Sequence, residues 1–242
     1  MTDDPNEIVL IDTVIAAPYD TVWNALRDPA EIRRWHGWDY DGLDDEIDVI
    51  YLQDAEPSAE QGTIDFTGDT ARFTLAPFTG HGDQTRLTVT KPGPAGDASW
   101  EDIYDDIEQG WITFVHQLKF ALERHPGADR RTVLIEAGRL LTAASLGFTT
   151  TAPAAPGQRY ASTTAWGQEL SGELLFQTRH QIGLTVDSYG DGLVVFHTIP
   201  AAARPPDGAM MAVITTYGLS DAELDDIEAL WATAARAAAA SE

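Results

Sequence analysis

The run Val14-Ile15-Ala16-Ala17-Pro18-Tyr19-Asp20-Thr21-Val22-Trp23-Asn24-Ala25-Leu26 passes from strand character to helix character at a single proline, and the reading of that junction decides the fold. Upstream, Glu7 to Ala16 is dense in β-branched residues, which suits a first strand. Pro18 has a preset φ and no N–H to lose, so it belongs in the first turn of a helix that reaches Leu26 with Val22, Trp23 and Leu26 on its inner side. Asp28-Pro29-Ala30-Glu31 then restarts the chain as a second short helix: an Asp N-cap, Pro at the first helical position, and Glu three residues after the cap to close a capping box. That helix should turn Ile32 and Trp35 inward.

Working outward, strand-like runs at about 46–53, 62–67, 70–78 and 84–91 are bounded by Gly, Asp and Pro, and they predict an antiparallel meander. Ser99-Trp100-Glu101-Asp102 is expected to open a long helix, with Ser99 as its cap, that ends at His125-Pro126-Gly127. At 100° per residue its apolar face would hold Ile107, Trp111, Phe114, Val115, Leu118 and Leu122, and a second stripe of Ile112, His116 and Phe120 would lie opposite. The order is therefore strand, two short helices, antiparallel strands and a long amphipathic helix. This is an α+β arrangement in which a bent sheet curls around one long helix and has to leave a space, because it and the two short helices cannot close fully on that helix.

The motif at residues 14–26, with Asp28-Pro29, Arg33-Arg34-Trp35 and Gly110-Trp111, resembles the SRPBCC (START-like, Bet v 1-like) superfamily, and within it the bacterial branch similar to the activator of Hsp90 ATPase homologue. The resemblance covers about residues 7–125. It implies a helix-grip fold: a curved antiparallel sheet gripping a long C-terminal helix, with an apolar cavity between them. It also places Trp35, Trp111, Phe114, Val115 and Leu118 at positions facing the cavity or its mouth. Phe66, Phe73 and Leu75 join them as inward candidates by strand alternation alone. The function expected from the resemblance is binding of a small hydrophobic or amphipathic ligand in that cavity. A co-chaperone-like protein-interaction module and a cyclase- or hydrolase-type enzyme using the same cavity are the alternatives, and the fold does not choose among them.

The second half repeats part of the first. Asp105-Asp106-Ile107-Glu108-Gln109-Gly110-Trp111 returns as Asp225-Asp226-Ile227-Glu228-Ala229-Leu230-Trp231. The second copy sits in a helix opened by the capping box Ser220-Asp221-Ala222-Glu223, with Leu224, Ile227, Leu230, Trp231 and Ala234 expected inward. Strand-like runs near 171–186, 193–199 and 210–218 precede it, the first two joined by Asp187-Ser188-Tyr189-Gly190-Asp191-Gly192. Residues 130–147 are mixed, and no copy of the N-terminal helix pair is visible. The expected organisation is a helix-grip domain at 1–127 and a shortened second module at 128–242, with an Ala/Thr/Pro-rich loop at 149–166.

Composition narrows the chemistry. Among 242 residues there is no cysteine, which excludes disulfides, thiol nucleophiles, Cys-ligated zinc and iron–sulfur clusters. A net charge of −24 would repel nucleic-acid phosphates and anionic lipid. No stretch has the ~18 consecutive apolar residues of a membrane helix, and the acidic start lacks a basic signal-peptide n-region, so a cytoplasmic location is expected. The partner expected is a small apolar molecule, with a protein partner left open. Serine-elbow, phosphate-loop, dinucleotide and His/Glu metal signatures are absent, so no catalytic residue, metal or cofactor is assigned. His180 and His197 are expected on one face of adjacent hairpin strands, as a core pair or half of a metal or proton-transfer site, while His36 and His81 are unplaced.

Overall fold

The computed structural model describes residues 7–68, 71–78, 83–93, 105–148 and 155–241. The chain divides into two compact units, Met1–Ala128 and Asp129–Glu242.

In the first unit, β1 (Glu7–Ile15) is followed by α1 (Tyr19–Ala25) and α2 (Pro29–Ile32). The Asp28 carboxylate caps α2 by accepting from the Ala30 N–H at 2.9 Å, and Glu31 pairs with Arg34. Trp35 is buried after α2, its indole N–H donating to the Ala25 carbonyl at 2.8 Å, which ties the end of α2 to the end of α1. The meander is β2 (Ala55–Ser58), β3 (Thr63–Phe66), β4 (Ala71–Pro77) and β5 (Thr85–Pro92), and the sheet order is β1-β5-β4-β3-β2. The first strand thus pairs antiparallel with the last, and α4 (Asp106–Arg124) follows the last strand.

Two details of this unit correct the sequence reading. Residues 46–53, expected as a strand, are helical: α3 (Leu43–Ile47) runs into a π-helical turn, Asp48–Gln53, closed by the Asp54 N–H on the Val49 carbonyl at 2.9 Å. The β-branched run suggested a strand, but Leu43, Ile47 and Tyr51 are buried at four-residue spacing and Val49 and Leu52 are exposed, which is helical periodicity. The Arg27 guanidinium donates to the Tyr51 carbonyl at 2.7 Å and so satisfies an acceptor at the wide turn. The long helix begins at Asp106 with Asp105 as its cap, accepting from the Ile107 N–H at 2.9 Å, and the expected Ser99 cap lies outside the described residues. Because the helix starts there, Ile107 sits in its first turn and is 52% exposed rather than inward, whereas Trp111, Val115 and Leu118 are buried. Phe114, Leu122 and also Ile112, expected on the opposite stripe, pack partly buried against the same core.

The helix is pinned to the first strand near its C-terminal end. Glu123 accepts from the Ala16 N–H at 2.8 Å and from Lys119 Nζ at 2.6 Å, and Lys119 also donates to the Val14 carbonyl. Near the other end β1 carries a bulge: Val9 faces Thr90 and Ile11 faces Val89, leaving Leu10 as the extra residue. The bulge lets Ile8 and Ile11, three apart, both be buried.

The second unit repeats this topology. Its strands are β6 (Arg130–Ala137), β7 (Arg159–Thr163), β8 (Glu169–Gln177), β9 (Gln181–Val186), β10 (Gly192–Ile199) and β11 (Ala209–Tyr217), in the order β6-β11-β10-β9-β8-β7, and α5 (Asp221–Ser241) follows the last strand. Again the first strand pairs with the last. The module is shorter in chain but not in sheet: a 3-10 turn, Ala144–Leu146, stands where the first unit has its helix pair, while the sheet has six strands. The single strand expected at 171–186 is two, β8 and β9, and β7 lies within the stretch expected to be loop at 149–166. The capping box forms, with Glu223 accepting from the Ser220 N–H at 2.8 Å. Leu224, Ile227, Trp231 and Ala234 are buried as expected, but Leu230 is exposed.

The β9–β10 connection is fixed by backbone geometry. Gly190 has φ +69°, and a Cβ built there would lie 1.8 Å from the Tyr217 carbonyl oxygen of the neighbouring strand β11. Gly190→Ala therefore faces both a left-handed conformation and a backbone clash, and should lose at least about 1–3 kcal/mol. Chemical denaturation should show a lower midpoint, and an unchanged midpoint would refute this account of the turn.

Candidate functional site

Strand alternation and helix periodicity converge on one aromatic cluster inside the first unit. Phe66 on β3 and Phe73 and Leu75 on β4 face inward, because residues two apart share a face and these positions are all buried. From α4, Trp111, Val115 and Leu118 meet them, and Trp35 and Phe114 complete the cluster. The Phe66 ring lies 4.9 Å from Phe73 and 4.9 Å from Trp111, and Phe73 is 5.0 Å from Trp111. The structure therefore brings together all eight residues expected at the cavity, in contact with one another as core. Tyr51, which the sequence reading missed because residues 46–53 were read as a strand, is central to them: its ring is edge-on to Trp35 at 5.6 Å, Phe66 at 5.5 Å and Trp111 at 6.2 Å.

Beside the cluster, His36 is fully buried between two oxygen partners. The Tyr51 hydroxyl is 3.0 Å from Nδ1, and Glu46 Oε1 is 3.4 Å from Nε2. The His36 ring also packs against Phe114 at 4.4 Å. Glu46 accepts a second bond from the Tyr40 hydroxyl. The hydrogen bond from His36 holds the Glu46 carboxyl below its ordinary value, with burial opposing and the Tyr40 bond reinforcing the shift. His81 lies outside the described residues.

At the N-terminal end of α4 the first unit opens into a pocket of about 250 Å³. Its walls are Leu10 at the β1 bulge, Gly68 and Ala71 at the β3–β4 turn, Lys91 at the end of β5, and Asp105, Ile107, Glu108 and Trp111 from α4 and its cap. Leu10 reaches it because the bulge places an unpaired residue at that level of the strand. Lys91 Nζ is 3.3 Å from Asp105 Oδ2 and pairs also with Glu108. Burial pulls the Lys91 ammonium down, but Glu108 and Asp105 together outweigh it and raise the group above its ordinary value. The described lining thus combines apolar side chains with an ion triad of which Glu108 is buried and Lys91 and Asp105 are partly exposed.

Of the residues expected at the site, Trp111 alone also lines this pocket. Its indole N–H is buried and has no hydrogen-bond partner among the described residues. The equivalent tryptophan of the repeat differs: Trp231 Nε1 donates to the Tyr189 hydroxyl at 2.9 Å. Burying an N–H without an acceptor costs about 1–3 kcal/mol, so the second copy is the ordinary solution and the first is the exception. Leu10, Lys91 and Glu108 were not legible as site residues, since a bulge and a cross-element ion pair leave no periodic signal.

In the second unit a wide groove of about 750 Å³ runs along α5, bordered by Trp166, Asp226, Leu230, Thr233 and Ala237. His180 and His197 do not form a core pair. His180 falls in the turn before β9, where its carbonyl accepts from the Thr198 N–H at 2.8 Å, and both histidines are only partly buried. The run read as one strand breaks at 178–180, so the alternation carried through His180 does not hold. Among the described residues no group of three or more His, Asp or Glu is placed to hold a metal ion.

No family model matches the chain, and no curated protein matches it. Several solved structures are similar to it, among them the following three. One is DynU16, from the dynemicin biosynthetic locus, at 18% identity with 97% of each chain covered and a TM-score of 0.29. The di-domain ARO/CYC StfQ of the steffimycin pathway is 11% identical, with 95% of this chain and 96% of that chain covered and a TM-score of 0.33. The di-domain ARO/CYC BexL of the BE-7585A pathway is 12% identical, with 96% and 91% covered and a TM-score of 0.30. At these scores the likenesses carry no weight for function, which rests on the chain's own geometry.

The Glu46 linkage has a definite sign. A carboxyl held below its unfolded value, near 4.5, contributes stability that is present above that pH and lost as pH falls through the lowered folded value. Glu46→Gln should be less stable than the parent at pH 7, and the gap should close in strong acid. Denaturation midpoints of both proteins from pH 7 down to pH 3 measure this, and a gap that persists unchanged refutes the assigned bond.

Proposed function

We propose that the first unit binds a small hydrophobic or amphipathic molecule in the pocket at the N-terminal end of α4. The observation that carries the reading is the pocket's composition: the apolar side chains Leu10, Ala71, Ile107 and Trp111 together with the Lys91, Asp105 and Glu108 triad. Ligand sites pair apolar walls with a few placed polar groups in this way, and a volume of about 250 Å³ lies just under the usual range of ~300–1,000 Å³. A small fused aromatic is the size class that suits it. Trp35, Phe66, Phe73, Leu75, Phe114, Val115 and Leu118 serve as the packed wall that holds Trp111 in place, since rigid ring contacts fix a binding side chain better than a loop would. The unsatisfied Trp111 N–H supports the same reading, because a functional site is where a fold tolerates such a cost.

A cyclase- or hydrolase-type reaction in the same unit is the second reading. The observation favouring it is His36, an imidazole held between a carboxylate and the Tyr51 phenol, the arrangement by which an acid–base group is oriented. Placement in the branch similar to the activator of Hsp90 ATPase homologue is supported by the motifs at 14–35 and Gly110-Trp111.

Thermal unfolding in the presence of 2-naphthol tests the binding reading. The midpoint should rise with ligand concentration, as binding to the native state requires. Ile107 is half exposed at the pocket wall, so Ile107→Trp should narrow the pocket without unfolding the chain and should abolish the rise. No rise in the parent, or an equal rise in Ile107→Trp, overturns the proposal.

A further inference from the structure

The polar side of the pocket says which ligands it admits. Among the described residues three charged side chains line it, and two of them are carboxylates. Lys91, the cation among the described lining residues, is already held by both Asp105 and Glu108. The triad therefore sums to −1, and its ammonium has no charge left to offer an incoming anion. It stands in the unit that carries most of a chain-wide net charge of −24. Glu108 is buried to 8% exposure, so water screens this charge poorly. What the triad does present is carboxylate oxygen, which accepts hydrogen bonds and donates none.

We infer that the ligand of this pocket carries a hydrogen-bond donor, an amine or a hydroxyl, at its polar end, and that carboxylates and other anionic amphipaths are rejected. This inference rests on the binding reading above and goes further by naming the ligand's charge class. An ammonium head gains from the net negative triad; a hydroxyl head donates to Asp105 or Glu108 at no electrostatic cost. A carboxylate head would meet two like charges in a partly desolvated wall and would have to break the Lys91 pairs to be satisfied. Fatty acids and aromatic acids, common occupants of apolar cavities, are thereby set apart from amines and phenols of the same skeleton.

The test compares three molecules of one skeleton by calorimetric titration of the full chain at pH 7: 2-naphthylmethylamine, 2-naphthol and 2-naphthoate. The amine and the naphthol should each bind at least about tenfold tighter than the naphthoate. Asp105→Asn keeps a helix cap while removing one negative charge, so it should weaken the amine and strengthen the naphthoate. General attraction of cations to an acidic surface would be unaffected by Ile107→Trp, whereas binding in the pocket should be lost in that variant. Naphthoate binding as tightly as the naphthol, in a manner that Ile107→Trp abolishes, overturns the charge inference and leaves the binding reading standing. Absence of binding by all three, or binding that Ile107→Trp leaves intact, overturns the binding reading itself.

Discussion

The pairing of the first strand of each unit with its last is the constraint on which the rest depends. With β1 hydrogen-bonded to β5 and β6 to β11, the first strand of each unit stands at a sheet edge and the chain leaves its last strand beside its first. The helix that follows has one apolar sheet face to cover, and it does so in both units with a tryptophan from the same repeated motif, Trp111 and Trp231. In the first unit the Lys119 and Glu123 bonds to Val14 and Ala16 fasten the C-terminal half of the helix to β1. The opposite end of the helix is then where a space can persist between helix and sheet.

That space is shaped by local irregularities. The bulge that leaves Leu10 unpaired, the helix start at Asp106 and the end of β5 at Pro92 meet at one edge of the sheet. Regular pairing there would have packed the edge with side chains. Two units with one topology thus differ in what they do with the end of the helix: Trp231 finds the Tyr189 hydroxyl and is finished as core, while Trp111, among the described residues, has an N–H with no acceptor beside a charged pocket. Duplicated architecture therefore does not carry duplicated polar environments at the helix end.

Several elements are legible in the sequence. The Asp28-Pro29 restart and the Ser220–Glu223 box are local signals in which neighbours along the chain supply both donor and acceptor, and both helix starts appear where expected. Glu31, however, pairs with Arg34 rather than closing a box on Asp28, and Pro18 is the N-cap of its helix rather than part of the first turn. The eight inward residues were legible too, since period 2 in strands and 3.6 in helices report burial directly. The misreadings have one source. Residues 46–53 and 171–186 are rich in residues favourable to strands, but the first is helical in its burial and the second is broken by a turn at 178–180, so period and turn chemistry outweigh composition there. The expectations for Ile107 and Leu230 failed because a helical face is wider than the part of it that a neighbour covers.

By itself the sequence determined the class of architecture, the strand-to-helix order, the repeat of the long helix and the acidic, cysteine-free chemistry of the surface, because each of these is written in local pattern or in composition. Only the tertiary structure decided which polar groups meet. Lys91 lies at a strand end, Asp105 and Glu108 at a helix start, and Leu10 at a bulge far upstream. Their meeting depends on strand register and on where the helix begins, neither of which leaves a mark in residue spacing. The same holds for His36, Glu46 and Tyr51, brought together by a π-helical turn that the sequence pattern disguised as a strand.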